Sequence, residues 1–350
     1  MLTEKQISQI KEHLDRAQNP VFFFDNDPDG LCSFLLLQRY IGRGKGVAIK
    51  SFPGLAVNYF RKVHELNADY VFILDKPVVD DDFFKELEKI NMPTVWIDHH
   101  EVQVEIPKFV SYYNPLFNKT PTNEPVTALC YQISQRKEDA WIALFGSISD
   151  MFIPEFYNDF VKEYPELAIA SKDIFEIRYK SRVGEMINIV SNGLKDTISN
   201  VVLMLKFLTK AKGPYDVLEE TPKNRRLHYR SSQIGAKYKV ILNKAKKLGR
   251  NPGKLLFFRY SGDLSVSGEL SNEIYYYFPK KIIVVAYMKG DKTNLSLRGE
   301  NVRDLLLEAI KGIDGANGGG HKNAVGGQIN TKDLSKFEEN LKSILDNSKI

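Results

Sequence analysis

Between residues 20 and 113, five short apolar runs alternate with longer amphipathic stretches. The runs are VFFF (21–24), GVAI (46–49), YVFIL (70–74), TVWI (94–97) and FVSYY (109–113). Runs this short, without alternation of polar and apolar residues, are typical of strands that are buried on both faces of a parallel sheet. The stretches at 31–43, 56–66 and 82–90 have helical spacing, so the region predicts βαβ units.

The rest of the chain changes character twice. Residues 124–149 have the pattern of two helices, and residues 155–250 keep helical spacing but lack strand-like runs. After the Gly/Pro linker GRNPGK (249–254), the strand-like runs LLFFRY, KIIVVAYM and TNLSLRG alternate with helical patterns. We predict an α/β protein with a parallel-sheet domain at 1–154, a helical connecting region at 155–250 and a smaller α/β domain at 251–350.

Composition narrows the class of protein. The chain has 350 residues, of which 27% are charged and 43% hydrophobic, as in ordinary globular proteins of two or three domains. The sequence contains no apolar run long enough to predict a membrane span. The charged, helical start MLTEKQISQIKEHL does not resemble a signal peptide. Cys32 and Cys130 are too few for a disulfide framework and lack metal-type spacing. We therefore expect a cytoplasmic protein.

Acidic residues directly follow three of the apolar runs. Asp25 follows VFFF, Asp75 follows VFIL, and Asp98 follows TVWI. Asp98 is itself followed by His99 and His100. Because ligands of parallel sheets bind at the carboxyl ends of the strands, we expect these groups to meet at one edge. Carboxylates at such density cannot all remain ionised without cations.

The stretch DNDPDG adds Asp27 and Asp29 to this edge. It fits the opening of an EF-hand calcium loop, but that loop needs a glutamate at its twelfth position and a helix before it. The twelfth position here is Leu36, and the preceding VFFF predicts a strand, so we exclude an EF-hand. For this stretch taken alone, a polar turn without a metal remains an alternative.

The ligand types indicate which metal the edge would bind. Oxygen ligands with a minority of imidazole suit Mn²⁺ or Mg²⁺ better than a thiolate-type zinc site. Asp150, at the end of the apolar helix WIALFGSIS, is a further candidate ligand. The carboxylates exceed what one ion needs, whereas two ions that share a carboxylate would use them all. Two neighbouring ions are the usual machinery for hydrolysing phosphate esters.

Six motifs together resemble those of one superfamily. DNDPDG, LDKP, IDHH and GSISD occur in the order of the four motifs of the DHH phosphoesterase superfamily. SLRG (296–299) and ANGGGHKNAVGGQI (316–329) are similar to the two signatures of its C-terminal nucleic-acid-binding domain, the DHHA1 type. The resemblance covers residues 20–150 and 254–330 and is greatest to archaeal RecJ-like single-strand nucleases. It implies an active site in the cleft between the two domains.

The resemblance implies a role for each residue of the DHH motifs. The implied ligands of two Mn²⁺ or Mg²⁺ ions are Asp25, Asp27, Asp29, Asp75, His99 and Asp150. His100 matches the residue that faces the scissile phosphate, and Asp98 matches its supporting carboxylate. Asn26-Asp27-Pro28 departs from the residues common among RecJ relatives, but this change removes no ligand.

The DHHA1-type signatures supply candidates for substrate binding. They are Gly318, Gly319, Gly320, His321, Arg298 and Ser296, with Asn323 as a lesser contributor. The three glycines let the backbone approach a phosphate closely, and His321 can donate a hydrogen bond to it. Arg298, also a predicted catalytic residue, offers a planar fork for a phosphate or a base edge. Taken alone, the glycines would also fit a flexible loop.

Residues 221–250 contain ten Lys or Arg and no Asp or Glu. A stretch with one sign of charge repels itself unless an anionic partner binds to it. We predict that Arg225, Arg226 and Arg230 bind the phosphate backbone of a single strand. The alternative is a basic surface without a partner.

The resemblance implies three functions, in order of preference. The first is an exonuclease, active in DNA repair or replication, that hydrolyses single-stranded DNA or RNA to nucleoside monophosphates through water activated by two ions. The second is an oligoribonuclease or a phosphoesterase of small nucleotides, such as phosphoadenosine phosphate or a cyclic dinucleotide. The third is a non-catalytic replication-factor scaffold. The motifs do not separate the first two. The archaeal resemblance also implies replication or helicase proteins as partners.

Overall fold

The computed structural model describes residues 1–51, 54–101 and 105–347. The chain divides into two compact units, one from Met1 to Ser231 and the other from Ser232 onward. Both contain helices and a sheet, which confirms the predicted α/β class. The predicted boundaries at 154 and 250 and the predicted cleft stay predictions, and residues 348–350 lie outside the described residues.

The first unit contains a five-stranded parallel sheet with the strand order β2-β1-β3-β4-β5. Its strands are β1 (Pro20–Asp25), β2 (Lys45–Ile49), β3 (Tyr70–Leu74), β4 (Thr94–Ile97) and β5 (Val110–Tyr113). All five predicted runs are therefore strands. The chain proceeds to opposite sides of β1, so the topological switch point, where ligands of open α/β sheets bind, lies between β1 and β3.

Helices alternate with strands β1 to β4 of this sheet and then follow one another along the chain after its last strand. Those before residue 150 are α1 (Glu4–Arg16), α2 (Pro28–Ile41), α3 (Arg61–Glu65), α4 (Asp81–Lys89), α5 (Val126–Ser134) and α6 (Ala140–Ser149). The region predicted to be helical contains α7 (Tyr157–Glu163), α8 (Ile174–Lys180), α9 (Arg182–Leu194), α10 (Ile198–Leu208), α11 (Pro214–Leu218) and α12 (Arg225–Gly249). Among the described residues no helix is both long and apolar enough to cross a membrane.

The VFFF run is apolar throughout because β1 is buried on both faces. Phe22 and Phe24 join the core beneath α2, whereas Val21 and Phe23 join a second core with α4. Successive side chains of a strand point to opposite faces, so each face receives alternate residues of the run. Burial of each phenylalanine contributes about 1.5–3 kcal/mol. These two apolar layers fix the edge at which Asp25 leaves the sheet.

The second unit contains a mixed sheet with the order β6-β7-β8-β10-β9. Its elements are β6 (Leu255–Ser261), α13 (Ser267–Tyr277), β7 (Ile282–Lys289), β8 (Lys292–Arg298), α14 (Val302–Ala309), β9 (Asn317–His321), β10 (Ala324–Asn330) and α15 (Leu334–Asn347). β6 and β7 are parallel, and the other neighbours are antiparallel. α14 and α15 pack on one face, and α13 packs on the other with the end of α12.

The sequence did not predict strands β9 and β10. The glycine-rich signature, treated above as a phosphate-binding or flexible loop, is an antiparallel hairpin in which Gly318 pairs with Gly327 and Gly319 with Gly326. Glycine is depleted in strands because it adds no packing side chain, so its abundance argued for a loop. The hairpin forms through backbone pairing at the edge of the sheet, which a pattern of side chains does not reveal.

Candidate metal centre

The turn from β1 into α2 places the DNDPDG carboxylates. Asp25 ends β1, and Asp27 caps α2 by accepting the Gly30 N–H at 2.9 Å. Pro28 occupies the first helical position, where it has no N–H to satisfy. A Cβ on Gly30 would lie 2.6 Å from the carbonyl oxygen of Asp25. Only glycine therefore lets the helix begin so close to the strand.

Asp29 is anchored to the start of α5. Its two carboxylate oxygens accept the backbone N–H groups of Val126 at 3.0 Å and of Thr127 at 2.8 Å. The Thr127 hydroxyl donates to the carbonyl of Asp29 at 2.9 Å. Gly146 of α6 leaves room for Thr127, since its Cβ would lie 2.1 Å from the Thr127 Oγ1. Each carboxylate oxygen keeps a second lone-pair site, so Asp29 can still bind a cation.

Asp75 is held in a strained conformation at the end of β3. Its φ of 57° lies in the left-handed region, which costs about 1–3 kcal/mol for a residue other than glycine. Its N–H donates to the carbonyl of Ile97 at 3.0 Å, and only 2% of the residue is exposed. Burial, and then the charges of Asp29 and Asp27, raise the pKa of Asp75 well above its ordinary value. A strained, buried carboxyl of this kind is a candidate functional group.

His99 is the residue around which the predicted ligands gather. Its Nε2 lies 3.5 Å from Oδ1 of Asp75 and 4.0 Å from Oδ2 of Asp150. Two sets of three residues each place their potential ligand atoms within 4.8 Å of one another, and both sets include His99. One set is Asp75, His99 and His100, and the other is Asp29, His99 and Asp150. The structure thus brings together Asp29, Asp75, His99 and Asp150.

His100 and Asp98 form a close pair beside this group. Asp98 is fully buried, its N–H donates to the carbonyl of Tyr113 at 3.0 Å, and its Oδ1 lies 2.8 Å from Nδ1 of His100. Burial lowers the pKa of His100, but the charge and hydrogen bond of Asp98, with the charges of Asp150 and Asp25, outweigh it and raise that pKa to about 9. His100 is therefore a charged hydrogen-bond donor at neutral pH. Its catalytic role stays a prediction.

Asn114 supports this pair and was not identified from the sequence. It is buried just after β5, and its Nδ2 donates to the carbonyl of His100 and to the Tyr112 hydroxyl, each at 2.8 Å. Like Asp75 and Asp98, Asn114 lies just beyond the carboxyl end of a strand of the parallel sheet. Its position after FVSYY was the available signal.

Asp27 and Asp25 differ from the buried predicted ligands, because Asp27 is exposed and Asp25 is paired with a lysine. Partial loss of hydration, with the charges of Asp25 and Asp29, raises the pKa of Asp27 to about 8. The Asp27 side chain is nevertheless exposed, so the neighbouring charges are the main physical cause. Asp25 forms an ion pair instead: its Oδ1 lies 2.8 Å from Nζ of the buried Lys76. Lys76 was not identified from the sequence, although LDKP places it directly after Asp75.

The gathered side chains fit a divalent cation. Carboxylate oxygens with one or two imidazole nitrogens are the ligands that Mn²⁺ and Mg²⁺ accept. Burial and the charges of neighbouring carboxylates raise the pKa values of Asp75 and Asp27, as expected where negative groups gather without a cation. A divalent ion would supply that charge.

In the second unit, Arg298 is fixed at the end of β8. Its Nε donates to Oδ1 of Asn272 at 2.5 Å, and its Nη1 donates to the carbonyl of Leu297 at 2.7 Å. Asn272 lies on α13 and was not identified, because its sequence context is only that of a helix. Ser296 is buried, and its hydroxyl lies 3.0 Å from that of Ser267. This placement favours a structural role for Ser296 over the predicted substrate contact.

The three signature glycines differ in surroundings. A Cβ on Gly318 would lie 2.8 Å from Cδ2 of Leu306, and Gly320 has a φ of 128°. A Cβ on Gly319 would meet no atom of the described residues within 4 Å. His321 is exposed at the end of β9, and Asn323 in the turn accepts the Asn301 N–H at 3.1 Å. Packing explains Gly318 and the positive φ explains Gly320, but neither explains Gly319.

The predicted basic segment forms α12, and it has acidic neighbours from outside residues 221–250. Arg225 lies 3.6 Å from Glu220, and Arg230 lies 3.7 Å from Asp196. Arg226 is exposed and lines a pocket of about 250 Å³. The charge at the start of α12 is thus partly compensated, which the sequence window did not show.

Comparisons with known proteins agree with the sequence motifs. Residues 253–347 match the DHHA1 domain family. RecJ from Thermus thermophilus, solved with Mn²⁺, is 16% identical, with a TM-score of 0.68 over 97% of this chain and 54% of that one. The chain therefore spans about half the length of that RecJ. A comparison with curated proteins found no match.

Two further solved structures match over nearly their whole length. An exonuclease RecJ bound to manganese is 15% identical, with a TM-score of 0.63 over 98% of this chain and 94% of that one. The pGpG-specific phosphodiesterase PggH from Vibrio cholerae is 14% identical, with a TM-score of 0.50 over 94% of this chain and 99% of that one. At these identities the matches establish a shared fold.

Proposed function

We propose that the chain, whose residues 253–347 match the DHHA1 domain family, belongs to the DHH/DHHA1 superfamily and is a metal-dependent phosphodiesterase that degrades single-stranded DNA or RNA to nucleoside monophosphates. One observation carries the proposal: potential ligand atoms of Asp29, His99 and Asp150 lie within 4.8 Å of one another, and Asp75 lies 3.5 Å from His99. The likeness of fold to two RecJ proteins solved with manganese supports it. The metal would be Mn²⁺ or Mg²⁺.

The residues around the centre would divide the work. A divalent ion held by the His99 group would lower the pKa of a water molecule and neutralise charge on a phosphate. His100, protonated at neutral pH, would donate a hydrogen bond to a phosphate oxygen. Asp98 engages Nδ1, so Nε2 is the nitrogen of His100 that would face the substrate. Asn114 fixes the backbone carbonyl of His100 and therefore the position of the ring.

The second unit would bind the nucleotide. Arg298, oriented by Asn272, has the planar fork that suits a phosphate or a base edge. The exposed His321 and the backbone of Gly319 would add donors for a phosphate. Replication or helicase partners and a cytoplasmic location remain predictions from the resemblance.

Digestion of end-labelled single strands tests the proposal. DNA and RNA from dinucleotides to a few tens of nucleotides would be incubated with Mn²⁺ or with EDTA. We expect a ladder that ends in mononucleotides with Mn²⁺ and none with EDTA. Asp75→Asn should not produce it, whereas Asp81→Asn, at the exposed start of α4, should. Asparagine is chosen because it tolerates the positive φ of Asp75. Equal activity of Asp75→Asn and wild type would refute the proposal.

A phosphodiesterase of small nucleotides is the second candidate. The likeness of fold to PggH covers 94% of this chain and 99% of that one, so it includes nearly the whole of both proteins. The same digestion series separates the candidates, since this enzyme would cleave dinucleotides and leave long strands intact. Absence of metal-dependent hydrolysis at every length would leave the scaffold alternative.

A further inference from the structure

Lys76 is a buried cation at the edge of the parallel sheet. Only 2% of the residue is exposed, and its Nζ lies 2.8 Å from Oδ1 of Asp25. The ammonium also faces the backbone carbonyl of Ser51 at 3.4 Å. Lysine is almost never fully buried unless it is paired. The contact with Asp25 therefore accounts for the burial of Lys76.

The backbone holds Lys76 in place for this contact. β1 and β3 are parallel neighbours, and Phe24 pairs with Leu74, so Asp25 and Lys76 leave the sheet at the same edge. Nε1 of Trp96 donates to the carbonyl of Lys76 at 3.0 Å. A residue of β4 thus holds the main chain of Lys76, while its side chain extends to Asp25 at the end of β1.

This ion pair separates Asp25 from the other predicted ligands. Oδ1 of Asp25 receives the ammonium of Lys76 and the N–H of Asn26 at 2.9 Å. A divalent ion bound to that carboxylate would lie a few ångströms from the ammonium. Like charges at this separation repel strongly where water is partly excluded. This repulsion, together with the engagement of Oδ1, disfavours Asp25 as a ligand while Lys76 stays in place.

We propose that Lys76 supplies the second positive charge of the centre, so that the protein binds one divalent ion, around His99, instead of the two predicted from the sequence. The inference rests on the proposed metal centre, but it does not depend on which reaction the centre performs. Asp27, Asp29, Asp75 and Asp150 are the predicted carboxylate ligands that remain for this ion, and the last three are the ones gathered around His99. The ammonium of Lys76 is part of the chain and cannot be replaced by a metal ion from solution. Lys76 thereby limits the number of ions that the centre binds.

The manganese content of the full chain tests the inference without any measurement of activity. Equilibrium dialysis gives the number of ions, and electron paramagnetic resonance shows whether neighbouring ions are spin-coupled. We expect one isolated ion in the wild type. Lys76→Met removes the charge and keeps an unbranched side chain, so it should gain a second, coupled ion. Lys50→Met is the matched control, because Lys50 also lies at this edge but donates to a carbonyl, that of Asp196.

The double variant Asp25→Asn/Lys76→Met should return to one ion, because the second ion needs Asp25. Two coupled ions in the wild type would overturn the inference and leave the proposed function standing. No bound ion in the wild type would overturn both. One ion in a folded Lys76→Met would also overturn the inference. If Lys76→Met does not fold, the ion counts of the wild type and of the double variant still test the inference, because it requires one ion in each.

Discussion

The two proposed binding regions hold their residues in different ways. In the first unit, Asp29, Asp75 and Asp98 are buried and fixed by backbone hydrogen bonds. In the second unit, His321 is exposed, and the signature glycines lie in an edge strand. Buried carboxylates need compensating charge whether or not a substrate is present, whereas exposed polar groups are satisfied by water. The proposed metal ion would therefore compensate charges that the fold itself brings together, whereas nucleotide binding has to be tested with a substrate.

The largest effect is expected at the buried carboxylate of the first region. Asp75→Asn should lower the rate of strand hydrolysis at least about 100-fold, because loss of charge stabilisation in the transition state costs several kcal/mol. Binding of a single strand by the full chain should change little, since the proposed strand-binding groups are other residues. The rate and the binding constant are measured side by side by digestion and fluorescence anisotropy. Loss of strand binding alone, with turnover preserved, would reverse the assignment of the two regions.

Glycine substitutions in β9 separate packing from phosphate binding. Gly318→Ala should lower the free energy of unfolding by about 1–3 kcal/mol, because the added Cβ overpacks against Leu306. Gly319→Ala should change it by less than about 0.5 kcal/mol. Urea denaturation measures both variants. If Gly319→Ala is stable and also fully active, the backbone of this strand does not approach a phosphate.

Arg298→Lys tests the planar fork in the second region. Lysine cannot keep the contact with Asn272 and bind a phosphate in two places, so kcat/KM should fall about tenfold, the equivalent of one charged hydrogen bond. Arg259→Lys is the control, because Arg259 lies on the same sheet and pairs with Glu338. Steady-state kinetics on short strands provide the values. An unchanged kcat/KM for Arg298→Lys would show that the fork serves structure only.

Reversal of charge on α12 should have a smaller effect. Arg226→Glu should weaken binding of long strands several-fold and reduce the slope of log K against log salt by about one. Changes at Arg225 and Arg230 should matter less, because Glu220 and Asp196 lie beside them. Arg16→Glu on α1 controls for net charge. The same salt slope in Arg226→Glu and wild type would favour a basic surface without a partner.

The pH dependence of stability gives the smallest expected effect. The pKa of Asp27 is about 8 in the folded protein against an ordinary value of 3.8, so the metal-free folded state binds more protons than the unfolded state between these values. This carboxyl therefore lowers stability as the pH rises through that window. Because Asp27 is exposed, we expect the contribution to stay below about 1 kcal/mol.

Asp27→Asn is the matching variant, because asparagine can also cap α2. In EDTA, its stability relative to wild type should rise from about pH 5 to about pH 8. Thermal unfolding at several pH values measures the difference. A difference that is constant with pH would show that the carboxylates around Asp27 do not interact as described.

The sequence indicated which side chains meet in the first region, because strand ends of a parallel sheet converge. Asp75, Asp98 and His99 follow apolar runs, and the shared edge brings them together without further information. Lys76 and the strained φ of Asp75 were not predicted, because an ion pair between two strand ends depends on side-chain reach. The sequence therefore indicates that acidic groups meet at this edge, but not that one of them pairs with a lysine.

The second region was predicted less completely. Its strands β6 to β8 carry apolar runs and were identified, whereas β9 and β10 form through backbone pairing of glycines. Arg298 was identified from its motif, but Asn272, which orients it, lies on a helix without a distinguishing pattern. The acidic partners of α12 come from outside the basic segment, so no local window shows them.

Anomalous diffraction from a manganese-soaked crystal of the wild-type chain tests the central claim most directly. We expect a peak bonded to Asp29, Asp75, His99 and Asp150 at the distances of metal–oxygen and metal–nitrogen bonds, about 2.0–2.6 Å. A map without a peak at this edge, with these four side chains arranged as described, would contradict the account.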